Sequence, residues 1–563
     1  MRRALLLCAG ILSVTWLGFE VFPGHTYLQA DTQLYLPMLE RLNAPGYLSR
    51  DLVATHPDLT YTIYDEVTLF LHAAGLSFTT ALITQQFISR GAGVLGAFLL
   101  ARAVGFDDLF AFLVATLLNL GAALTGPGVS LLGYEPVPSA FATGLVLLAM
   151  GLLAREKPLL AGLAGGLALS YDPWTAAPFW IVVLAALLFD RGLRSLFRPA
   201  STILSIFILL LANLAQLQPG VIEAQEFFSK ISTGMSNIQH YQASDAWVSL
   251  WVGRDIWQYL VIWTCGMWAT ARIWPLLNRQ MRWFFVVLPL LGIISIPVSY
   301  LLLEQLRWSL VPQVRPARAL LFTVVTASLA CSLAGLQAAL RHKNWEALLW
   351  FVISFAMSVN VRVLDLLRIG SLASLAQLVF CVALAGLLAG ILTRFGSTKL
   401  NPLVLLIPFI AIFVAPRIRG VENHSKVDRA PIAEIAEWAE NNTWGSSMFL
   451  FPDAGRDLYP GIFRAESRRA VWVDWKTGSL ANYFGSFARD WWERWQQTME
   501  GSFSPPRLQS MLSLPVDYYV LKRTNQLADV KPVFENREFV VYDSEDLRKS
   551  ATPLRLADFN YSN

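Results

Sequence analysis

Apolar runs of membrane-spanning length, roughly 20 residues, recur from Ala4 to about Pro416 and then stop. The pattern places about thirteen spans, at 4–21, 79–104, 108–125, 138–154, 157–170, 174–189, 200–217, 255–273, 283–303, 317–340, 345–359, 371–393 and 401–416. Around Tyr171-Asp172-Pro173-Trp174 two spans or one broken helix fit equally, and 345–359 is short. From about Arg417 the period changes. Pro431 to Glu440 reads as a helix, Ser447–Phe451 and Ala470–Val473 as buried strands, and Asn482–Met499 as an aromatic-rich helix. Val516–Leu521 and Glu538–Tyr542 read as further strands. The expected fold is a polytopic α-helical membrane protein. Its transmembrane domain covers 1–416 and carries a large first loop at 23–78. A soluble α/β domain covers 417–563.

Against this oily background the first loop stands out. It runs Gly24-His25-Thr26-Tyr27-Leu28-Gln29-Ala30-Asp31-Thr32-Gln33-Leu34-Tyr35-Leu36-Pro37, and continues through Asp51, His56 and Asp58 to Tyr61-Thr62-Ile63-Tyr64-Asp65-Glu66. A membrane anchor has no use for so long a carboxylate-bearing loop, whereas an active site at a membrane surface does.

Composition fits this class: 55% of residues are hydrophobic and 15% charged, where a soluble chain carries about 25% charge. Mean hydropathy is +0.47. The net charge of +4 is small, and no basic run points to nucleic acid. Cys8, Cys265, Cys331 and Cys381 all fall in apolar segments, so no disulfide staples the polar tail. Met1-Arg2-Arg3 and the apolar run to Phe19 have the form of a signal peptide but lack a prompt small-residue cleavage site, and are read as an uncleaved anchor.

Basic residues set the expected orientation. With the N-terminus in the cytoplasm, the inner segments hold Arg2, Arg3, Arg102, Arg155, Lys157, Arg191, Arg194, Arg198, Arg272, Arg279, Arg282, Arg341, Lys343, Arg394 and Lys399. Most acids lie outside: Asp31, Glu40, Asp51, Asp58, Asp65, Glu66, Glu135, Asp172, Glu223, Glu226 and Asp245. An odd number of spans then places the tail outside too. The expected location is the bacterial inner (plasma) membrane.

Several polar outliers gather on that external side. Asp31 has the chemistry of a general base or metal ligand, and equally of a helix N-cap for the stretch from Thr32. Arg307, Arg315 and Arg318 break the positive-inside pattern. Their guanidinium forks suit phosphate oxygens, or they snorkel to headgroups. Tyr134-Glu135-Pro136 and Asp172 add a phenol and two acids; Arg362, Asp365 and Arg368 form a further loop cluster. Arg90, inside a span, needs a polar surrounding, for which Gln85 and Gln86 are one turn away. His56 reads mainly as incidental, Asp65-Glu66 as structural. The tail tryptophans read as core or interface residues before sugar platforms. There is no Walker A loop, HExxH, CxxC or Gly-x-Ser-x-Gly element, so ATP-driven transport and zinc or serine hydrolysis lack a sequence basis.

The large first loop with Ala30-Asp31-Thr32, the external loops, the many spans and the external C-terminal domain resemble the GT-C superfamily of membrane glycosyltransferases. The chain is also similar to an uncharacterised group of bacterial integral membrane proteins. That similarity lies in Asp31-Thr32-Gln33-Leu34-Tyr35-Leu36-Pro37, Tyr61-Thr62-Ile63-Tyr64-Asp65-Glu66, Gly133-Tyr134-Glu135-Pro136-Val137-Pro138 and Val473-Asp474-Trp475-Lys476-Thr477-Gly478. It departs from several GT-C families in having no acidic neighbour to Asp31 and no Trp-Trp-Asp motif; Trp491-Trp492-Glu493 is a near match.

The resemblance implies a polyprenyl-phosphate or polyprenyl-pyrophosphate sugar donor and a first-loop acid acting as base or metal ligand. The expected function is inverting sugar transfer to an extracytoplasmic acceptor. Asp31 is then catalytic, and Arg315, Arg318, Arg307, Glu135, Asp172 and Tyr134 bind substrate. No cofactor is expected, and a divalent metal has no motif behind it. The partners are the lipid-linked sugar and the bilayer. Two other readings stand beside this one. A lipid-linked-glycan transporter or flippase would spread polar residues through both membrane halves. A non-catalytic envelope assembly protein would tolerate loss of Asp31.

Overall fold

The computed structural model describes residues 2–56, 62–217, 229–358, 401–409, 427–483, 485–549 and 554–557. Asp58, Tyr61, Glu223, Glu226, Arg362, Asp365, Arg368, Cys381, Arg394, Lys399, the expected span 371–393 and the 416/417 boundary lie outside the described residues.

The helical body is built from α1 (Arg2–Glu20), α4 (Phe78–Val104), α5 (Asp108–Asn119), α6 (Pro138–Ala154), α7 (Pro158–Tyr171), α8 (Pro173–Phe189), α9 (Arg194–Leu217), α11 (Gly253–Ile273), α12 (Arg279–Ser299), α14 (Leu320–Leu340) and α15 (Asn344–Ser358). Between them lie α2 (Thr32–Asn43) and α3 (Tyr64–Ala73) of the first loop, α10 (Thr233–Gln242) and the one-turn α13 (Val311–Val314). Among the described residues, five apolar helical stretches reach membrane-crossing size by length and composition: Arg2–Glu20, Phe78–Val104, Arg194–Ala215, Arg279–Gln305 and Val311–Leu340.

Local chemistry sets the boundaries. Ser77 and Asp107 cap α4 and α5 by accepting from the Thr80 and Phe110 amides at 3.1 and 3.0 Å. Prolines stand at the first turns of α6, α7 and α8, where a missing N–H costs nothing. The span expected at 108–125 is shorter. Its helix ends at Asn119, and a two-stranded hairpin, β1 (Ala123–Leu124) with β2 (Val129–Ser130), turns through Thr125-Gly126-Pro127-Gly128. The ambiguity at 171–174 resolves into two helices that break at Asp172.

Every residue from Leu320 to Ala339 is buried, which makes α14 the central helix of the body. Large apolar side chains on the outside, such as Leu6, Leu209, Trp257 and Trp268, are exposed, as a hydrocarbon solvent requires and water does not favour. α4 and α6 pack backbone to backbone. A Cβ on Gly144 would lie 1.9 Å from the Ser89 carbonyl oxygen, the close approach that small residues permit between membrane helices. Arg90, 3% exposed, does not pair with Gln85 or Gln86. Its guanidinium donates to the Gly18 and Gly24 carbonyls at 2.9 and 3.1 Å, one in the last turn of α1 and one just beyond it, groups that the helix itself leaves without a partner. Gln85 instead donates to Thr68, and Gln86 to the Gly133 carbonyl.

The tail carries a five-stranded mixed sheet in the order β4 (Ala470–Val471), β3 (Met448–Leu450), β5 (Tyr518–Lys522), β7 (Phe539–Asp543), β6 (Phe534–Glu535). The β4–β3–β5 pairs are parallel; β5–β7–β6 are antiparallel, with Tyr519 opposite Tyr542. The expected helices are present as Ala430–Asn442 and Gly485–Thr498, the latter shorter than 482–499 because Lys476–Asn482 winds as a 3-10 helix. Trp491 and Trp495 stack at 5.5 Å between centroids, and both are buried.

The first loop and the tail share one hydrophobic core. Leu28, Leu34, Leu36 and Met38 pack in the same cluster as Ile432, Phe449, Phe463, Trp491 and Val541. Polar ties reinforce the junction. Asp51 accepts from the Val471 amide of β4 at 3.0 Å. Arg50 pairs with Asp517 at 2.9 Å and Arg468 with Glu40 at 3.3 Å. Arg464, 1% exposed, contacts Asp474 at 2.6 Å and Asp51 at 3.9 Å and donates to the Gln33 carbonyl at 3.3 Å. A Cβ on Gly461 would lie 2.1 Å from the Gln33 side-chain oxygen, so loop and tail meet without room for a methyl group. His56 packs edge-on against Phe487 with centroids 5.3 Å apart and shares a 2.9 Å hydrogen bond with the Leu52 carbonyl, a structural place.

Candidate functional site

A cavity of about 320 Å³ lies where the helical body, the first loop and the tail meet. Asp31 and Tyr35 reach it from the start of α2, Asp172 from the α7–α8 break and Asp245 from the segment after α10. Arg315 and Arg318 arrive from the segment before α14, and Lys476 and Tyr483 from the tail. Asp31 and the Arg315/Arg318 pair, nearly three hundred residues apart in the chain, border the same space.

Asp31 occupies the N-cap position of α2, yet its side chain makes no capping bond. Its carboxylate instead meets the Lys476 ammonium at 2.7 Å and keeps 37% of its side chain exposed. Burial pushes the Asp31 pKa up, but the charge and hydrogen bond of Lys476, aided by Arg318 and Arg315, outweigh it and hold the carboxyl at about 2. Burial works against the Lys476 charge too, and Asp31 reverses this, so that the lysine pKa lies above its ordinary value.

Lys476 is itself positioned by the buried Arg464 cluster. Asp474, which pairs with Arg464, accepts from the Thr477 amide at 2.9 Å and from the Thr477 hydroxyl. This fixes the first turn of the 3-10 helix on which Lys476 stands.

Arg315 pairs with Asp245 at 3.3 Å. Its backbone is left-handed, at φ 45° and ψ 64°, a conformation costing about 1–2 kcal/mol for a residue with a Cβ. Pro316 starts the following 3-10 turn. Arg318 also lines the cavity, and among the described residues no carboxylate lies within 4 Å of it. Gln313, between these elements and the tail, donates to the Tyr483 carbonyl at 3.4 Å. Burial pushes the phenols of Tyr35 and Tyr483 up, so both stay protonated at the cavity wall.

Three of the residues expected to bind substrate, Glu135, Tyr134 and Arg307, do not line the cavity, and one, Asp172, faces it as a helix cap. Glu135 is 2% exposed and does not line the cavity. Its carboxylate accepts from the amides of Gln29, Ala30 and Thr32 and from the Thr32 hydroxyl, and burial raises its pKa against those bonds. It therefore shapes the turn that presents Asp31. Tyr134 lies near enough to Asp31 and Lys476 to feel their charges, but it is not among the cavity residues. Its carbonyl accepts from Thr26 at 2.7 Å. Arg307 is exposed and off the cavity, and its carbonyl accepts from the Ile231 amide at 2.8 Å. Asp172 lines the cavity while capping α8, accepting from the Trp174 amide at 3.1 Å and the Thr175 hydroxyl at 2.7 Å.

Sequence reasoning missed Lys476, Asp245, Tyr35 and Tyr483 as cavity groups. Lys476 lies within Val473–Gly478 and Tyr35 within Asp31–Pro37, but neither differs in type from solvated neighbours. Among the described residues no three His, Cys, Asp or Glu side chains gather closely enough to hold a metal ion.

No known family pattern matches the chain, and no curated protein does. Solved structures do. The chain is similar to ArnT from Cupriavidus metallidurans in the apo state, at a TM-score of 0.46 and 13% identity, over 96% of this chain and 97% of that one. It is also similar to ArnT from Cupriavidus metallidurans bound to undecaprenyl phosphate, at a TM-score of 0.45 and 14% identity, over 96% of this chain and 98% of that one.

Proposed function

We propose that the protein is a membrane glycosyltransferase that moves a sugar from a polyprenyl-phosphate donor to a hydroxyl acceptor on the extracytoplasmic side. The observation that carries this reading is one cavity bordered by a carboxylate, Asp31, and by three cations, Arg315, Arg318 and Lys476. Cations aimed where negative charge develops are the commonest large contribution to catalysis of this type. The donor's phosphate lies against Arg318 and Arg315. The acceptor oxygen attacks the anomeric carbon, the bond from that carbon to the phosphate oxygen breaks, and its electron pair stays on the phosphate. Asp31 takes the acceptor proton. Glu135 and Asp474 hold the groups that react without touching substrate.

The flippase reading has less support. The charged groups described here collect at one junction, whereas a transport path needs them through the depth of the body. A strain lacking the protein tests the proposal. Polyprenyl-linked sugar should accumulate in it, and be consumed again on complementation with the wild-type chain but not with Asp31→Asn. Unchanged lipid-linked sugar pools, or full complementation by Asp31→Asn, would remove the enzymatic reading.

A further inference from the structure

While it is paired with Lys476 at 2.7 Å, Asp31 is a poor proton acceptor, yet the proposed transfer needs it as a base. The charges of the cavity resolve this. Three cations face three acids: Lys476 is held by Asp31, Arg315 by Asp245, and Asp172 is occupied in capping α8. Arg318 has no carboxylate within 4 Å among the described residues. An anion entering the cavity therefore meets Arg318 first and then competes with Asp31 for Lys476.

We propose that Lys476 is a latch on Asp31, operated by the phosphate of the donor. This rests on the glycosyl-transfer reading of the cavity. In the resting pair Lys476 keeps Asp31 ionised and weakly basic. As the anomeric carbon–oxygen bond breaks, the leaving phosphate gains a second negative charge and becomes the stronger partner for the ammonium. Lys476 swings toward it, and the contact that depressed the Asp31 pKa is gone. Burial, which opposes the charged carboxylate, then favours protonation of Asp31 as the acceptor hydroxyl gives up its proton.

One ammonium thus stabilises the leaving group and switches on the base in a single movement, and no proton is gained or lost overall. Of the other groups around Asp31, Arg318 faces the bound phosphate, and the rest are held elsewhere or uncharged. Arg315 is tied to Asp245, Glu135 is locked in its turn, and Tyr35, Tyr134 and Tyr483 are neutral phenols. Lys476 is a positioning residue for Asp31 and a binding residue for phosphate.

The latch makes a prediction opposite to that of a structural ion pair. The test measures binding of a polyprenyl monophosphate, the product lipid, to purified full-length protein in detergent near pH 7.5. Lys476→Met should weaken binding about tenfold or more, and Lys476→Arg should restore most of it. Asp31→Asn should strengthen binding several-fold, because Lys476 no longer has to leave a carboxylate. In the double variant Asp31→Asn/Lys476→Met that gain should vanish. A gain that persists without Lys476 would mean simple charge repulsion and overturn the latch, and so would weaker binding by Asp31→Asn. If the wild-type protein binds no polyprenyl phosphate at any concentration, the donor assignment itself fails. If it binds but the cycle shows no coupling, the donor assignment stands and only the latch falls.

Discussion

Glu135 holds Thr32 twice, through its amide at 3.3 Å and its hydroxyl at 2.7 Å, and in doing so fixes the direction of Asp31, the residue immediately before. The acid that looks chemically active is buried scaffold, and the acid it supports is the one that reaches the cavity. Glu135→Gln keeps the shape but offers a single acceptor oxygen where two are used. It should lower stability by about 1–3 kcal/mol, read as a fall in melting temperature. Its loss of transferase activity should not add to that of Asp31→Asn, because both act through the same carboxylate.

The Arg464 cluster should dominate the docking of the tail. Arg464→Met leaves Asp474 and Asp51 facing each other without a cation at a buried site. Breaking a buried pair in this way costs about 3–5 kcal/mol. Limited proteolysis should then cut within 431–545, where the wild-type tail is expected to resist. Adding Asp474→Asn should recover part of the loss, since it removes one of the stranded charges.

Acid stability should carry the signature of Asp31. Its pKa lies at about 2 in the folded protein against an ordinary 3.8. A depressed carboxylate stabilises the fold above its unfolded value, and that contribution is lost as pH falls through the folded one. Wild-type protein should therefore lose stability between about pH 4 and pH 2 more steeply than Asp31→Asn. Thermal melts of the two proteins across this range check the difference in slope, which should vanish above about pH 5, where the stabilisation from Asp31 is fully present.

The two cavity arginines should separate by phenotype. Arg318→Met removes a cation with no carboxylate within 4 Å among the described residues, so it should weaken lipid-phosphate binding roughly ten- to hundredfold with little change in melting temperature. Arg315→Met also strands Asp245 and should lower both affinity and stability. Paired binding and melting measurements on the two variants distinguish these outcomes.

What the sequence made legible follows from where charge is rare. Asp31, Arg315 and Arg318 stand out because acids and arginines are expensive beside apolar spans, and the cavity brings them together. Lys476 was invisible for the opposite reason: it sits in a polar tail where a lysine is ordinary, and only the docking of the tail gives it a partner. Glu135 and Asp172 were recognised as unusual but not as structural, because a backbone amide leaves no trace in the residue pattern. Arg90 was expected to seek side-chain amides one turn away, yet it took main-chain carbonyls at a helix end. The strands of the tail were readable from their β-branched and aromatic runs. The short edge strand β6 was not, since Phe534-Glu535 has no periodicity to show.

The shared core of first loop and tail imposes an order on biosynthesis. The loop emerges early, and the tail residues that complete the cluster around Leu28, Leu34 and Met38 come about four hundred positions later. At roughly 5–20 residues per second the apolar side of α2 waits on the order of 20–80 s for its partner. During that interval Asp31 has no lysine beside it and no cavity around it. A chain still being made thus has no assembled cavity, and the groups that line it first come together when the last quarter of the protein folds down onto the first.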